Sequence, residues 1–313
     1  MSAKKTNVID FGCELYEADP NTGEATPLVS ILVPAGSIVV SPAQQQARRD
    51  WVERSQAEEQ RQAIIKAQNN EMRKMGSYFK ARFKRDQPLN EFDNAFLARL
   101  AFLASHMDYD SSLWCTQRTK MTKEAARRLL GLSKSVFYDF WKRAIDQSLV
   151  CEKEDTLAIS TPMFWRGKSG PTGYTNGWMR IYCDTYRKLY CGVKPSQHIY
   201  LGAILRMMPY INIEFNVLCR NQFATNIEEI DPITLTEMCV LLGMTEDNAK
   251  HWRRKYEGIV LSTEEGPEKF CATIKSDAGI ELVFVNPRVL YAGSNPDQVE
   301  ILKLYFSDPV KSK

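Results

Sequence analysis

The chain has 313 residues, of which 44% are hydrophobic and 25% are charged, and this composition excludes a wholly disordered or collagen-like chain. Lys and Arg (41) exceed Asp and Glu (38) by three, so bulk charge gives no sign of a polyanionic partner, and evidence for one has to come from local clusters. The longest apolar runs, such as residues 28–33, are much shorter than the ~18 residues of a membrane span, and the N-terminal segment lacks the apolar stretch of a secretory signal. We therefore expect a cytoplasmic protein without a membrane partner.

Cysteine and histidine are the residues from which a zinc site would be built. None of the eight cysteines stands in a Cys-X-X-Cys pair, and His106, His198 and His251 are far apart in the sequence. Zinc sites need such ligands close together, so the sequence predicts no metal and no cofactor. We expect the thiols to be free and mostly buried, as in a reducing cytoplasm.

The N-terminal region predicts a β-hairpin followed by a long helix. Residues 7–33 alternate in hydropathy around the turn sequence at 19–24, and we assign the hairpin to residues 1–40. Ser41 followed by proline is typical of a helix start, and residues 41–76 contain no glycine before their last position. Apolar residues are too sparse there for a heptad repeat, which favours a solvated spacer, with dimerisation as the alternative.

Residues 77–170 predict a first winged-helix domain. An amphipathic helix at 90–107 is followed by a helix-turn-helix pattern in which Thr122 caps the first helix, Gly131 forms the turn and Ser133 caps the second helix. A strand, an acidic turn and a second strand follow, which is the arrangement of a wing. The expected core-facing side chains are Leu132 in the turn and Val136, Phe137, Phe140, Trp141 and Ile145 in the second helix.

The same pattern returns at an offset of 112 residues, because Leu241 to Thr245 repeats Leu129 to Ser133. A helix-like stretch precedes each copy (195–209 in the second), and strand-like segments with corresponding prolines, Pro162 and Pro287, follow. The expected fold is therefore α+β and mostly helical, with tandem winged helix-turn-helix domains after the N-terminal hairpin and long helix. The second domain is assigned to residues 195–313, including a last helix at 295–306, and residues 171–194 are assigned to a linker.

Patterns of known enzymes are absent from the sequence. Residues 167–173 contain Gly-Lys-Ser, but a phosphate-binding loop needs glycine at the position of Pro162. Tyr182, Tyr186 and Tyr190 are four residues apart, which favours an aromatic helix face packed between domains over a nucleophile that nicks DNA. We find no catalytic cluster and predict a protein that is not an enzyme.

Local charge points to the first domain as the DNA-binding one. Residues 73–85 carry six basic and no acidic residues, and residues 113–143 carry eight basic and two acidic residues. Residues 233–258 carry four of each, and Glu246 and Asp247 open their second helix, where carboxylates repel phosphate. The acidic wing at 152–155 is not expected to enter a minor groove. The predicted DNA-binding residues are Arg73, Lys74, Lys80, Arg82, Lys84, Arg85, Arg118, Lys120, Lys123, Lys134, Ser135, Tyr138, Lys142, Arg143, Lys250, Arg253 and Arg254.

Four segments of the first domain carry a resemblance to a known family. Residues 79–85 (FKARFKR), the helix at 95–110, the helix-turn-helix at 121–145 and the segment 159–168 (ISTPMFWRGK) resemble the RepL-like winged-helix replication initiators of small bacterial plasmids and phages. The resemblance covers about residues 79–168 and implies binding of origin or regulatory DNA without nicking chemistry. The chain departs from that family in Asp139, where a basic residue is commoner, in its long N-terminal region and in its second unit.

The sequence thus predicts a non-enzymatic, sequence-specific binder of double-stranded DNA from a plasmid or phage, acting in replication initiation at an origin. One alternative is a transcription regulator at an operator, and another is a protein-protein assembly module built on winged helices, because fold does not fix function. A nucleic-acid enzyme is a third alternative, which the missing catalytic cluster disfavours. Host replication or transcription proteins and a second copy of the chain are further candidate partners.

Overall fold

A computed structural model shows an α+β chain with about 49% helix and small antiparallel sheets, which confirms the predicted class. The chain divides into two compact units, Met1–Ile64 and Ile65–Lys313. In the described part of the chain, no helix is both long and apolar enough to cross a membrane. The structure describes residues 16–18, 25–27, 42–82, 92–153, 156–167, 178–276, 279–293 and 295–306.

The first unit contains a small antiparallel sheet and most of a long helix. Strand β1 (Tyr16–Ala18) pairs with β2 (Ala25–Pro27), as expected for the N-terminal hairpin, whose turn and outer strand ends lie outside the described residues. Helix α1 spans Pro42–Lys74, close to its predicted bounds, and from Ile65 onward it belongs to the second unit. Side chains described between residues 46 and 64 are exposed or half-exposed, as a solvated helix without a heptad requires.

A four-stranded antiparallel sheet forms the centre of the second unit. Strands β3 (Tyr78–Ala81) and β9 (Met179–Tyr182) are neighbours in its middle. Strand β8 (Phe164–Trp165) lies beside β3 and strand β14 (Leu290–Tyr291) lies beside β9. The two closing segments that the sequence pattern paired, 158–167 and 283–293, therefore supply the two opposite edges of one sheet.

Between its central strand and its edge strand, each half of the sequence folds into a module that contains a helix-turn-helix pair. We name residues 78–165 the first module and residues 179–291 the second module. The first module contains α2 (Asn94–Ala104), β4 (Trp114–Thr116), β5 (Thr119–Lys120), α3 (Lys123–Leu129), α4 (Lys134–Asp146), β6 (Val150–Lys153) and β7 (Thr156–Ile159). The second module contains α5 (Cys183–Gly192), α6 (His198–Met207), α7 (Leu235–Leu241), α8 (Glu246–Glu257), β10 (Val260–Thr263), β11 (Gly266–Lys269), β12 (Cys271–Lys275) and β13 (Glu281–Val285), and α9 (Pro296–Leu304) follows it.

The two helix pairs share the same local construction. The hydroxyl oxygen of Thr122 accepts a hydrogen bond from the Ala125 amide at 3.2 Å, and Thr234 accepts one from the Glu237 amide at 3.2 Å. Both turns contain a glycine with positive φ, 65° in the first module and 87° in the second. Such angles favour glycine because it has no Cβ to clash with the backbone, so the predicted cap at Thr122 and the predicted glycine turn are confirmed. An antiparallel hairpin follows each pair, β6–β7 in the first module and β10–β11 in the second.

Two details of α4 differ from expectation. Val136 is exposed, because the buried stripe of the helix is formed by Phe137, Phe140 and Trp141, and the preceding residue lies about 100° away from Phe137 around the helix. Ser133 occupies the N-terminal cap, but within the described chain its side chain makes no capping bond to the backbone; its hydroxyl lies 3.4 Å from that of Ser135.

The modules share one hydrophobic core, which differs from the expected pair of separate domains, 77–170 and 195–313, with a linker at 171–194. Strand β9 and helix α5 fall inside that linker, yet both are built into the core. A Cβ placed on Gly202 of α6 would lie 1.6 Å from the carbonyl oxygen of Asn94 in α2, so these helices touch backbone to backbone.

The expected aromatic face between the two halves is present in part. The hydroxyl of Tyr186 donates to the Ala98 carbonyl at 3.3 Å, and the hydroxyl of Tyr190 donates to the Leu130 carbonyl at 3.2 Å. Both tyrosines lie on α5 and are buried, whereas Tyr182 belongs to strand β9. Two of the three tyrosines therefore join α5 to the first module.

Candidate nucleic-acid interface

Helix α4 presents a polar stripe opposite its buried side. Its buried residues pack on α2, where the ring centres of Phe140 and Phe96 are 5.1 Å apart. Lys134, Tyr138 and Lys142 are four residues apart and all exposed, with 62% of Tyr138 accessible. Helical spacing therefore aligns two cations and an aromatic ring along the outer face. Ser135 and Asp139 are exposed beside this stripe, as predicted.

Two open grooves flank this stripe, and Tyr138 and Lys123 border both. One groove, of about 610 Å³, runs between α3 and α4. The other has the same volume and runs between α4 and the β6–β7 hairpin, where Lys142 and Glu152 contribute to its wall. The outer face of α4 is thus a ridge between two concave surfaces, which is a shape that can follow an extended polymer.

Four of the eight basic residues between positions 113 and 143 lie against carboxylates, and two of them, Lys123 and Arg143, are predicted DNA-binding residues. Arg127 and Arg128 lie 2.7 Å and 3.1 Å from Glu124, and their hydrogen bonds, that of Arg127 first, lower the pKa of this carboxyl to about 2. The ammonium of Lys123 is 3.6 Å from a carboxylate oxygen of Glu152. Arg127 and Arg128 share the single negative charge of Glu124, so this pair of arginines keeps one net positive charge. The fourth is Arg143.

Arg143 is directed towards α2, not towards the outer stripe. Its guanidinium lies 2.9 Å from the carboxylate of Asp93 and within 5.5 Å of the ring centres of Phe92 and Phe96. We therefore assign Arg143 to the packing of α4 on α2, which corrects its predicted place on the DNA side.

Three cations remain without a carboxylate partner anywhere in the described chain: Arg118, Lys134 and Lys142, all exposed. Arg118 lies in the turn between β4 and β5, and Lys120 of β5 holds its ammonium 5.9 Å from the ring centre of Trp114. The net positive charge expected from the sequence is therefore concentrated on fewer side chains than the residue count suggested.

The basic segment 73–85 is distributed over several surfaces. Arg73 and Lys74 are exposed at the end of α1, and Lys74 lines a cleft of about 720 Å³ with α5, β10 and α9. Lys80 lies on the central sheet, half-buried, and Arg82 is half-buried after it, while Lys84 and Arg85 lie outside the described residues. This segment therefore does not form one continuous patch with α4 in the described chain.

The second module presents a different surface at the equivalent positions. Glu246 and Asp247 are exposed in the first turn of α8, where the first module has Lys134 and Ser135. Arg253 is paired with Glu257 at 2.8 Å and with Glu281 at 3.6 Å, while Lys250 and Arg254 are exposed. A phosphate approaching the start of α8 would meet two carboxylates.

Four of the described cysteines and two histidines, His106 and His198, are buried in the core. Burial raises the pKa of the Cys239 thiol to about 11, and burial, followed by the charge of an arginine, lowers the pKa values of His106 and His198 to about 4. Among the residues that the structure describes, no three His, Cys, Asp or Glu side chains form a group that could hold a metal ion. The free cysteines described are Cys115 and Cys151, half-buried, Cys191, exposed, and Cys183, Cys219, Cys239 and Cys271, buried.

Arg180 lies opposite Lys80 on the central sheet and is not among the residues predicted from the sequence. The residues around these two positions, Phe-Lys-Ala and Met-Arg-Ile, are similar, but three residues are too few to reveal a repeat. Comparison of the chain with protein-family models, curated proteins and solved structures found no match. The resemblance of residues 79–168 to RepL-like initiators stays a prediction.

Proposed function

We propose that the two modules are tandem winged helices and that the protein binds double-stranded DNA sequence-specifically through α4, without enzymatic activity. The observation that supports this most directly is the exposed stripe of Lys134, Tyr138 and Lys142, whose two cations have no carboxylate partner among the described residues. Three nearby arginines, Arg127, Arg128 and Arg143, by contrast lie against the carboxylates of Glu124 and Asp93. We propose that the DNA is a plasmid or phage replication origin.

The proposed recognition follows from the position of each side chain on α4. Helix-turn-helix proteins read base edges with the first turn of the second helix in the major groove. Lys134 and Ser135 occupy that turn and are exposed. A lysine can donate to the guanine O6 and N7 acceptors, and a serine can pair with several bases. We propose that Lys142, two turns later, and Arg118, on the β4–β5 turn, contact phosphates.

The acidic hairpin is compatible with this function because one of its charges is compensated. Glu152 accepts a hydrogen bond from the Trp141 indole at 3.0 Å and lies 3.6 Å from the Lys123 ammonium. Glu152 is thereby tied to α4 and α3. We propose that this hairpin lies beside the DNA and does not enter the minor groove.

The experiment compares single variants of the full chain on a duplex selected from a random-sequence pool. Lys134→Ala should change the base preference at particular positions of the duplex. The free energy of discrimination between bases at such a position should fall by ~1–3 kcal/mol. Lys142→Met should weaken binding to all sequences and reduce the slope of log K against log salt by about one. Lys194→Met, an exposed lysine between α5 and α6, is the matched control and should change neither. Unchanged binding by both α4 variants would refute α4 as the reading helix.

A second candidate function, protein binding, is favoured in the second module. Helix α7 exposes Val240 and Leu241, 43% and 45% accessible, and the following helix begins with the exposed residues Glu246 and Asp247. We propose that this surface mediates assembly with a second copy of the chain. Val240→Ser combined with Leu241→Ser should reduce self-association of the full chain on DNA in sedimentation experiments and leave the affinity of the first site unchanged. A loss of first-site affinity would instead assign the surface to DNA.

Replication and transcription use the same DNA surface, so the distinction requires a cellular readout. We expect Lys134→Ala to abolish autonomous maintenance of a replicon that depends on this protein. If maintenance is normal while expression from the bound promoter changes, the protein is a transcription regulator.

A further inference from the structure

The central sheet has an apolar face and a second face that carries cations and aromatic rings. Residues alternate between the faces of a strand, so Phe79 and Ala81 point to the shared core and Tyr78 and Lys80 point to the opposite side. The strand register aligns four residues in one row across that opposite face: Trp165, Lys80, Arg180 and Tyr291. Two cations thus stand side by side between two aromatic residues.

The two cations are directly opposed on β3 and β9. Like charges in this position destabilise a strand pair, so the arrangement is costly without a counterion. The ammonium of Lys80 lies 4.3 Å from the ring centre of Trp178. The guanidinium carbon of Arg180 lies 4.9 Å from the same ring centre and 5.4 Å from that of Tyr78. Both cations are therefore gathered around one indole.

Arg180 is 3% exposed and only partly satisfied. Its Nη1 donates to the carbonyl oxygens of Ala292 at 3.1 Å and Gly293 at 2.7 Å, whereas its buried Nε has no acceptor among the described residues. A buried charged group whose donor has no acceptor lowers the free energy of unfolding, unless an anion or another acceptor forms the missing hydrogen bond.

No carboxylate in the described chain forms an ion pair with either cation. Burial and then the charge of Glu214 raise the pKa of the Tyr291 hydroxyl in the same row. Burial, and after it the charge of Arg180, lower the pKa of the Lys80 ammonium.

We propose that Lys80 and Arg180 together bind a phosphate group and that Trp178 and Tyr78, both half-exposed, form a stacking surface for the attached nucleoside. Charge-assisted bonds from an arginine and a lysine to phosphate oxygens are strong, and aromatic rings stack on bases of any sequence. The phosphate belongs either to a nucleic-acid strand or to a free nucleotide. The site lies on the central sheet, so it goes beyond the proposed reading of duplex DNA by α4 and does not depend on it.

The test measures how ligands protect Lys80 from acetylation, quantified by mass spectrometry of the full chain. The probes are inorganic phosphate, adenosine triphosphate and a single-stranded oligonucleotide, and the exposed Lys194 in the same sample is the internal control. We expect one or more probes to slow acetylation of Lys80 and not of Lys194. Lys80→Met should weaken binding of the protecting probe about tenfold, as measured by calorimetry, because one charge-assisted contact is lost. Arg180→Lys, which keeps the charge and loses the planar fork, should weaken it as well.

The pattern of protection identifies the source of the phosphate. Protection by the nucleotide and not by the oligonucleotide assigns a free nucleotide, and protection by the oligonucleotide assigns a nucleic-acid strand. If no probe protects Lys80, or if the Lys80→Met variant binds every probe as tightly as the parent, the proposal is overturned. Lys134→Ala should leave the protection unchanged, so a failure of α4 as the reading helix is distinguishable from a failure of this site.

Discussion

Replacing glycine by alanine should destabilise the fold for different reasons at Gly131 and Gly202: backbone strain at the first and steric overlap at the second. Gly131 needs its left-handed φ of 65°, but no described atom lies within 4 Å of a Cβ placed there. The expected cost of Gly131→Ala is therefore about 1 kcal/mol of unfolding free energy, from backbone strain alone. At Gly202 a Cβ would overlap the Asn94 carbonyl of α2. Gly202→Ala should cost clearly more, because α2 and α6 would have to move apart. Urea denaturation of both variants measures this, and equal losses would contradict the close contact of α2 and α6.

The two buried histidines give stability a predictable dependence on pH. His106 and His198 have pKa values of about 4 in the folded chain, below the ordinary value of about 6.5. As pH falls below about 6.5, the unfolded chain takes up protons that the folded chain refuses, so the free energy of unfolding decreases until about pH 4. Each histidine should contribute a loss of up to about 2 kcal/mol between pH 7 and pH 5.

Replacing one histidine isolates its share of this effect. His198 stacks on Tyr190 with ring centres 3.9 Å apart, and phenylalanine keeps a ring in that place. The His198→Phe variant should lose less stability than the parent between pH 7 and pH 5, as measured by urea midpoints at both values. Identical pH dependence in the two proteins would show that His198 titrates normally.

At the scale of the element, one side of α4 packs on the fold and the other is exposed to a ligand. The adjacent residues Lys142 and Arg143 lie on different sides. Arg143 bridges to Asp93, whose other carboxylate oxygen accepts the Phe96 amide at 2.7 Å and caps α2. Arg143→Met should therefore lower the free energy of unfolding by about 1 kcal/mol and leave DNA affinity unchanged. Lys142→Met should leave the free energy of unfolding unchanged and lower the DNA affinity. Thermal unfolding and DNA titration of both variants check this, and reduced DNA affinity in Arg143→Met with unchanged stability would restore Arg143 to the interface.

Elements were predictable from the sequence where their signals are local. Thr122, Gly131 and the spacing of Phe137, Phe140 and Trp141 lie within 20 residues and define the first helix pair, including its exposed stripe. Strand β9 was not predictable, because it has four residues and its partners come from distant parts of the chain: Lys80 pairs with Arg180 across 100 positions. For the same reason the sequence placed Arg143 correctly on α4 but could not reveal that Asp93 holds it.

The whole molecule joins its two modules through α2, which is buried on almost every side. Eight of its eleven residues are buried, whereas a helix at the surface of a domain buries one stripe. Helix α6 covers one side of α2 and α4 covers another. The strand pair β3–β9 joins the same two modules by backbone hydrogen bonds. Neither module therefore encloses its own core.

This predicts that a chain ending at Lys194 does not fold cooperatively. It would retain the first module, β9 and α5 but lose α6, leaving the side of α2 that packs on α6 without cover. Domains are stable by only about 5–15 kcal/mol, so the loss of one side of a buried helix's packing is a large fraction of the free energy of unfolding. We expect helical far-UV circular dichroism, weak near-UV signal, dye binding to exposed apolar surface and a broad thermal transition. The control is residues 65–313, which contain the whole second unit and should unfold in one sharp transition. A sharp transition in the chain ending at Lys194 would instead establish the first module as an independent domain.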